Sequence, residues 1–83
     1  MQVEQIREVL HATPFRPFRI RTADGKSIPV LHQEVTLLSP KDKLIFVIKE
    51  KGGFYLIDTE SVTHLETVSD PAELQQLITE VRG

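Results

Sequence analysis

Histidine and carboxylate recur two residues apart at two places in the chain, His32 with Glu34 and His64 with Glu66. In an extended strand this spacing puts both side chains on one face, and imidazole with carboxylate is a donor set that zinc accepts. A closed zinc site takes four ligands, so each pair would need a second element to converge on it. Polar residues alternating along a solvent-facing strand produce the same spacing without a metal, and no metal is assigned. Glu60, Ser61 and His64 contain the residue types of a nucleophilic triad, but no strained elbow or oxyanion-hole loop accompanies them. Gly52-Gly53 lacks the following helix and the lysine or serine of a phosphate loop, so turn chemistry accounts for it. The chain therefore reads as non-enzymatic, with no catalytic residue and no cofactor.

The residues better suited to binding are cationic and aromatic. Arg16, Arg19, Arg21 and Lys26 lie close together in sequence and form a candidate basic face for phosphate oxygens, although such a cluster is also what a solvated strand face looks like. Tyr55 is the candidate aromatic contact: it stacks a base or anchors a protein where its face is open, and belongs to core or interface where that face is covered. Prolines at 14 and 17 push Thr13 and Arg16 toward extended backbone, so residues 13–18 should run as polyproline II, with Phe15 and Phe18 on one side and Arg16 and Arg19 on another. The phenylalanines read as anchors seating the next strand on a core. The alternative, a Pro-x-x-Pro ligand for an aromatic groove, belongs to unstructured tails rather than to a run that enters a strand.

A hairpin must position these groups. A two-residue Asp24-Gly25 loop would set Arg21 opposite Ile28 and mix charge with aliphatic side chains. A three-residue Ala23-Asp24-Gly25 loop sets Ile20 opposite Ile28 and Phe18 opposite Val30, and burial selects it. Arg19 and Arg21 then point outward together, and Pro29, which cannot donate to a ladder, belongs on an edge or at a bend. Before this hairpin, Val3, Ile6, Val9 and Leu10 recur at helical spacing and predict a helix over 2–11, ended by Pro14. After it, residues 35–38 either continue the second strand past a bend or begin a new one. Leu44 to Ile48 is apolar on both faces, as a covered central strand would be. Glu50-Lys51-Gly52 closes a second hairpin pairing Ile48 with Phe54, Val47 with Tyr55 and Phe46 with Leu56. One of its two apolar faces has an inside within the chain; the other needs a helix or a second subunit. A polar turn at 58–61 leads to a last strand over 62–68. Asp70 as N-cap, Pro71 at the first helical position and Glu73 predict a helix over 71–82, whose stripe Leu74, Leu77, Ile78 and Val81 is the candidate interface.

Composition bounds the rest. Eighty-three residues make one domain over 1–83, which buries roughly 60 per cent of its unfolded surface. There is no cysteine, so disulfides and thiolate chemistry are excluded, and a reducing cytoplasmic compartment is the expectation. The longest apolar run, Leu44 to Ile48, is too short to span a bilayer, and the first residues do not read as a signal peptide. Residues 1–52 hold nine Lys/Arg against six Asp/Glu, and residues 53–83 one Arg against six Asp/Glu. A mildly acidic whole argues against strong non-specific affinity for phosphates.

The layout resembles the Sm-like small barrels, including the Hfq-type bacterial RNA chaperones. A short helix comes first, then a strand, an Asp-Gly turn, a bent second strand, a glycine hairpin and Tyr55-Leu56-Ile57-Asp58-Thr59-Glu60-Ser61-Val62-Thr63-His64-Leu65-Glu66. In that family a helix precedes five strands and a tight turn links the fourth to the fifth. The resemblance covers residues 1–68, rests on order and spacing, and implies RNA binding. The signature residues of the family's RNA-binding loops are absent, and the C-terminal helix departs from its pattern. Separately, Pro14-Phe15-Arg16-Pro17-Phe18, Asp24-Gly25, Ser39-Pro40 and the run from Ile57-Asp58 to Glu66 are similar to a group of short bacterial proteins, a resemblance that implies no function.

The expected fold is α+β and mostly β: a small, strongly bent five-stranded antiparallel sheet or barrel, Sm-like or SH3-like, with a helix at each end. The expected function is a binding or regulatory module that acts through protein–protein contacts and self-associates as a homo-oligomer, with Sm-like RNA binding as the alternative and no membrane partner.

Overall fold

The computed structural model describes residues 2–83. Helix α1 (Val3–Leu10) is followed by strands β1 (Phe18–Thr22), β2 (Ser27–Val30), β3 (Thr36–Leu38), β4 (Leu44–Ile48), β5 (Phe54–Asp58) and β6 (Val62–Thr67), and then by helix α2 (Pro71–Arg82). The strands form two antiparallel three-stranded sheets, ordered β2-β1-β6 and β3-β4-β5. This is a small α+β fold with six strands, not five, and it is not a closed barrel. The break falls at residues 31–35, where a 3₁₀ turn over Gln33–Val35 interrupts the path from β2 and β3 starts afresh in the second sheet.

The first hairpin adopts the register that burial demands: Phe18 faces Val30 and Ile20 faces Ile28, with Arg19 opposite Pro29. The three-residue loop closes through Thr22 N–H to the Lys26 carbonyl and Gly25 N–H to the Thr22 carbonyl. Gly25 takes φ +86°, a left-handed conformation that side chains disfavour. Thr22 locks the loop from below. Its hydroxyl accepts from Lys26 N–H at 3.1 Å and donates to the Asp24 carboxylate. That last bond holds the Asp24 carboxyl below its ordinary acidity range. Pro29 lies on β2, an edge strand, where its missing donor is not needed.

Strand β1 also pairs with β6, setting Ile20 beside Leu65 and Arg19 beside Glu66, and the ladder slips by one residue between Arg21 and Thr22. Thr63 is the extra residue, and its hydroxyl donates to the Arg21 carbonyl. A bulge of this kind bends and twists the strand, which helps the first sheet to fold over the second. The second hairpin repeats the first: Lys49 N–H donates to the Gly53 carbonyl, Gly52 N–H to the Lys49 carbonyl, and Gly52 sits at φ +102°. It pairs Ile48 with Phe54, Val47 with Tyr55 and Phe46 with Leu56.

The main core lies between the inner faces of the two sheets. Phe18, Ile20, Ile28, Val30 and Val62 of the first meet Ile45, Val47 and Ile57 of the second, and Ile6 and Leu10 of α1 pack into the same cluster. Phe15 in the lead-in joins it edge-on to Phe18, with ring centroids 6.0 Å apart. A second, smaller cluster seats α2, with Leu77 fully buried against Leu31 and Val68, and Leu74, Ile78 and Val81 packed around them. Asp70 caps this helix by accepting from Ala72 N–H at 2.9 Å, and Pro71 opens it.

Ile20→Ala and Ile45→Ala should each lower stability by about 2–5 kcal/mol, because both side chains are fully enclosed. Gly25→Ala should cost on the order of 1–3 kcal/mol, with open space around the new methyl and the penalty arising from φ alone. Urea unfolding of the three variants checks both expectations.

Candidate interaction surface

Each sheet has an outer face, and the two differ in chemistry. On the first sheet the outward positions are Arg19 and Arg21 of β1, Ser27 and Pro29 of β2, and His64 and Glu66 of β6. Helix α2 lies across part of this face and brings Glu73, Gln76 and Glu80 over it, leaving an open cleft of about 560 Å³ lined by these three residues with Arg19, Arg21, Ser27 and Glu66. Arg19 pairs with Glu80, Arg21 donates to Glu66, and Lys26 lies 3.6 Å from Asp24. Arg16 stands apart, beside Glu8 and Thr67 at the end of α1. The four cations expected to form one basic face are thus divided, and three of them are in ion pairs.

The Arg21 hydrogen bond is the main reason that the Glu66 carboxyl ionises below the usual carboxylate range; the charges of Arg21, His64 and Arg19 act in the same direction, and desolvation opposes them. His64 Nε2 lies 4.0 Å from Glu66, and its Nδ1 lies 3.0 Å from the Thr63 hydroxyl. His32 precedes the 3₁₀ turn that contains Glu34. Among the described residues no three His, Asp or Glu side chains converge as a metal site would require. Ser61 Oγ donates to the Asp58 carbonyl at 2.7 Å, as a turn residue does.

The outer face of the second sheet carries no charge over its centre. Leu37 of β3, Phe46 of β4 and Leu56 of β5 are aligned across the three strands, and Ile48 faces Phe54 beside them. The Phe46 and Phe54 rings touch, with centroids 5.9 Å apart. Leu37, Ile48, Phe54 and Leu56 are 65, 56, 57 and 55 per cent exposed, although large apolar side chains prefer enclosure. Neither helix covers this face: α1 packs on the core between the sheets, and α2 packs on β2 and the segments next to it. Tyr55 points to the other side, at the margin of the core, with the Lys49 ammonium 4.4 Å from its ring centroid.

The expected interface stripe of α2 is therefore docked on the chain's own Leu31 and Val68, and the exposed apolar surface is instead the face opposite Tyr55. The continuous apolar runs of β4 and β5 already signalled that one face would be left over, since both faces of that hairpin are apolar. Leu37 carried no such signal, because only the pairing of β3 with β4 turns it outward. The carboxylates that meet the arginines had a weak sign: Glu73 and Glu80 are seven residues apart and share one side of a helix.

No protein-family model matches the chain, and no curated protein or solved structure matches it. Among the described residues no helix is long and apolar enough to cross a membrane.

The Arg21–Glu66 pair makes a pH prediction. A carboxylate whose folded-state pKa is depressed adds stability above its unfolded pKa, about 4.3, and loses that contribution as pH falls through the folded value. Wild type should therefore melt above Glu66→Gln at pH 7, and the gap should close below about pH 4. Both residues are substantially exposed, so the gap should be small. Melting curves from pH 7 to pH 2 measure it.

Proposed function

We propose that the protein is a non-catalytic protein-interaction module whose contact surface is the outer face of β3-β4-β5. The carrying observation is the exposed group Leu37, Ile48, Phe54 and Leu56 around the half-buried Phe46, apolar at every central position of a three-stranded face. Soluble domains seldom leave contiguous apolar patches of more than a few hundred Å² in water, and where they do the patch usually meets another surface. The two-sheet α+β fold serves this reading as a scaffold, with the second sheet as its working side. The RNA alternative has less to stand on. It needs unpaired cations on one face, and Arg19, Arg21 and Lys26 each sit beside a carboxylate, with Glu73 also in the cleft.

The test is photo-crosslinking in cells that produce the protein. A photoreactive residue at position 56 should yield discrete protein adducts, and the same residue at exposed Thr63 should not. Ile48→Lys should abolish the adducts at position 56. Equal labelling at both positions, or recovery of nucleic acid in place of protein, would overturn the reading.

A further inference from the structure

We infer that the partner is a second copy of this chain, packed face to face through the outer sides of β3-β4-β5 about a two-fold axis. The inference rests on the interaction reading and names its occupant. The first argument is area. At roughly 150–200 Å² each, the lower part of the aromatic range, the four exposures correspond to roughly 350–470 Å² of apolar surface. With its polar rim such a face approaches the roughly 800 Å² per partner of a standard stable interface.

The second argument is composition. Homodimer contacts are the most apolar class, resembling a domain core cut in half, whereas non-obligate contacts are no more apolar than ordinary surface. All five central residues here are apolar, and the charged residue in register on this face, Asp58, stands at the end of β5 opposite Leu44. A two-fold axis places each surface patch against itself or a neighbouring part of the same patch. An apolar face free of central charge meets its own copy without repulsion.

The third argument is shape. The chain already packs its two sheets through aliphatic and aromatic inner faces. Face-to-face sheets settle about 10 Å apart with strands roughly 30° from aligned. The outer face of β3-β4-β5 offers the same kind of surface, with Phe46 in its middle strand as the central contact. The result is a stack of four three-stranded layers with the polar clefts under α2 at its two ends.

Light scattering over a dilution series tests this. The protein should weigh twice 9.5 kDa when concentrated and approach 9.5 kDa when dilute. Phe54→Lys should raise the dimer dissociation constant by about tenfold or more, and Gln75→Lys, on the exposed side of α2, should leave it unchanged. Circular dichroism of Phe54→Lys should match wild type, since position 54 is outside the core; Leu56→Ser serves as the second variant should lysine perturb folding. A wild-type mass of 9.5 kDa at every concentration, with adducts from position 56 to a different protein, overturns the second copy and leaves the interaction reading standing. A dimer unaffected by Phe54→Lys and Leu56→Ser overturns the self-contact on this face, and the absence of specific adducts at position 56 overturns the interaction reading with it.

Discussion

The register of the β1–β2 hairpin is the constraint on which the other contacts depend. Side chains in a strand alternate with a period of two, so a slip of one residue would bring Arg19 and Arg21 into the core and expel Phe18 and Ile20. Two local devices prevent it. Gly25 supplies the positive φ that a three-residue loop needs, and Thr22 ties the loop to Lys26 and Asp24 from beneath. With Phe18, Ile20, Ile28 and Val30 aligned, the first sheet has a continuous apolar face on which Ile45, Val47, Ile57 and α1 can close.

The outward residues of that same hairpin determine what α2 meets. Arg19 and Arg21 face away from the core, and α2 approaches from that side with Glu80 and Glu73, while its apolar stripe docks beside them on Leu31 and Val68. The polar outer face is thus partly covered and internally neutralised. Helix α2 is used up there, and among the described residues nothing remains to cover the outer face of the second sheet. The distribution is the reverse of the usual one, in which apolar faces are enclosed and charged faces meet water. It follows from connectivity: α2 leaves β6 after a three-residue link, and β6 belongs to the first sheet.

Local signals made most of the elements legible. Gly25 and Gly52 with alternating apolar residues specify both hairpins and their pairings, Asp70-Pro71 specifies the start of α2, and Val3, Ile6, Val9 and Leu10 specify α1; each depends on residues within a few positions of one another. The apolar character of both faces of the β4–β5 hairpin was equally legible. Tertiary structure alone decided which of those faces is left open, that residues 36–38 pair as a separate strand and turn Leu37 outward, that the sheet divides in two at 31–35, and that the four cations are split, with Arg21, Arg19 and Lys26 matched to carboxylates from β6, α2 and the Asp24 turn. Each of these joins segments distant in sequence, such as Arg21 with Glu66 or Leu37 with Phe46. A spacing rule ends at the boundary of its own element, whereas burial and charge pairing are settled by what the completed fold brings against each face.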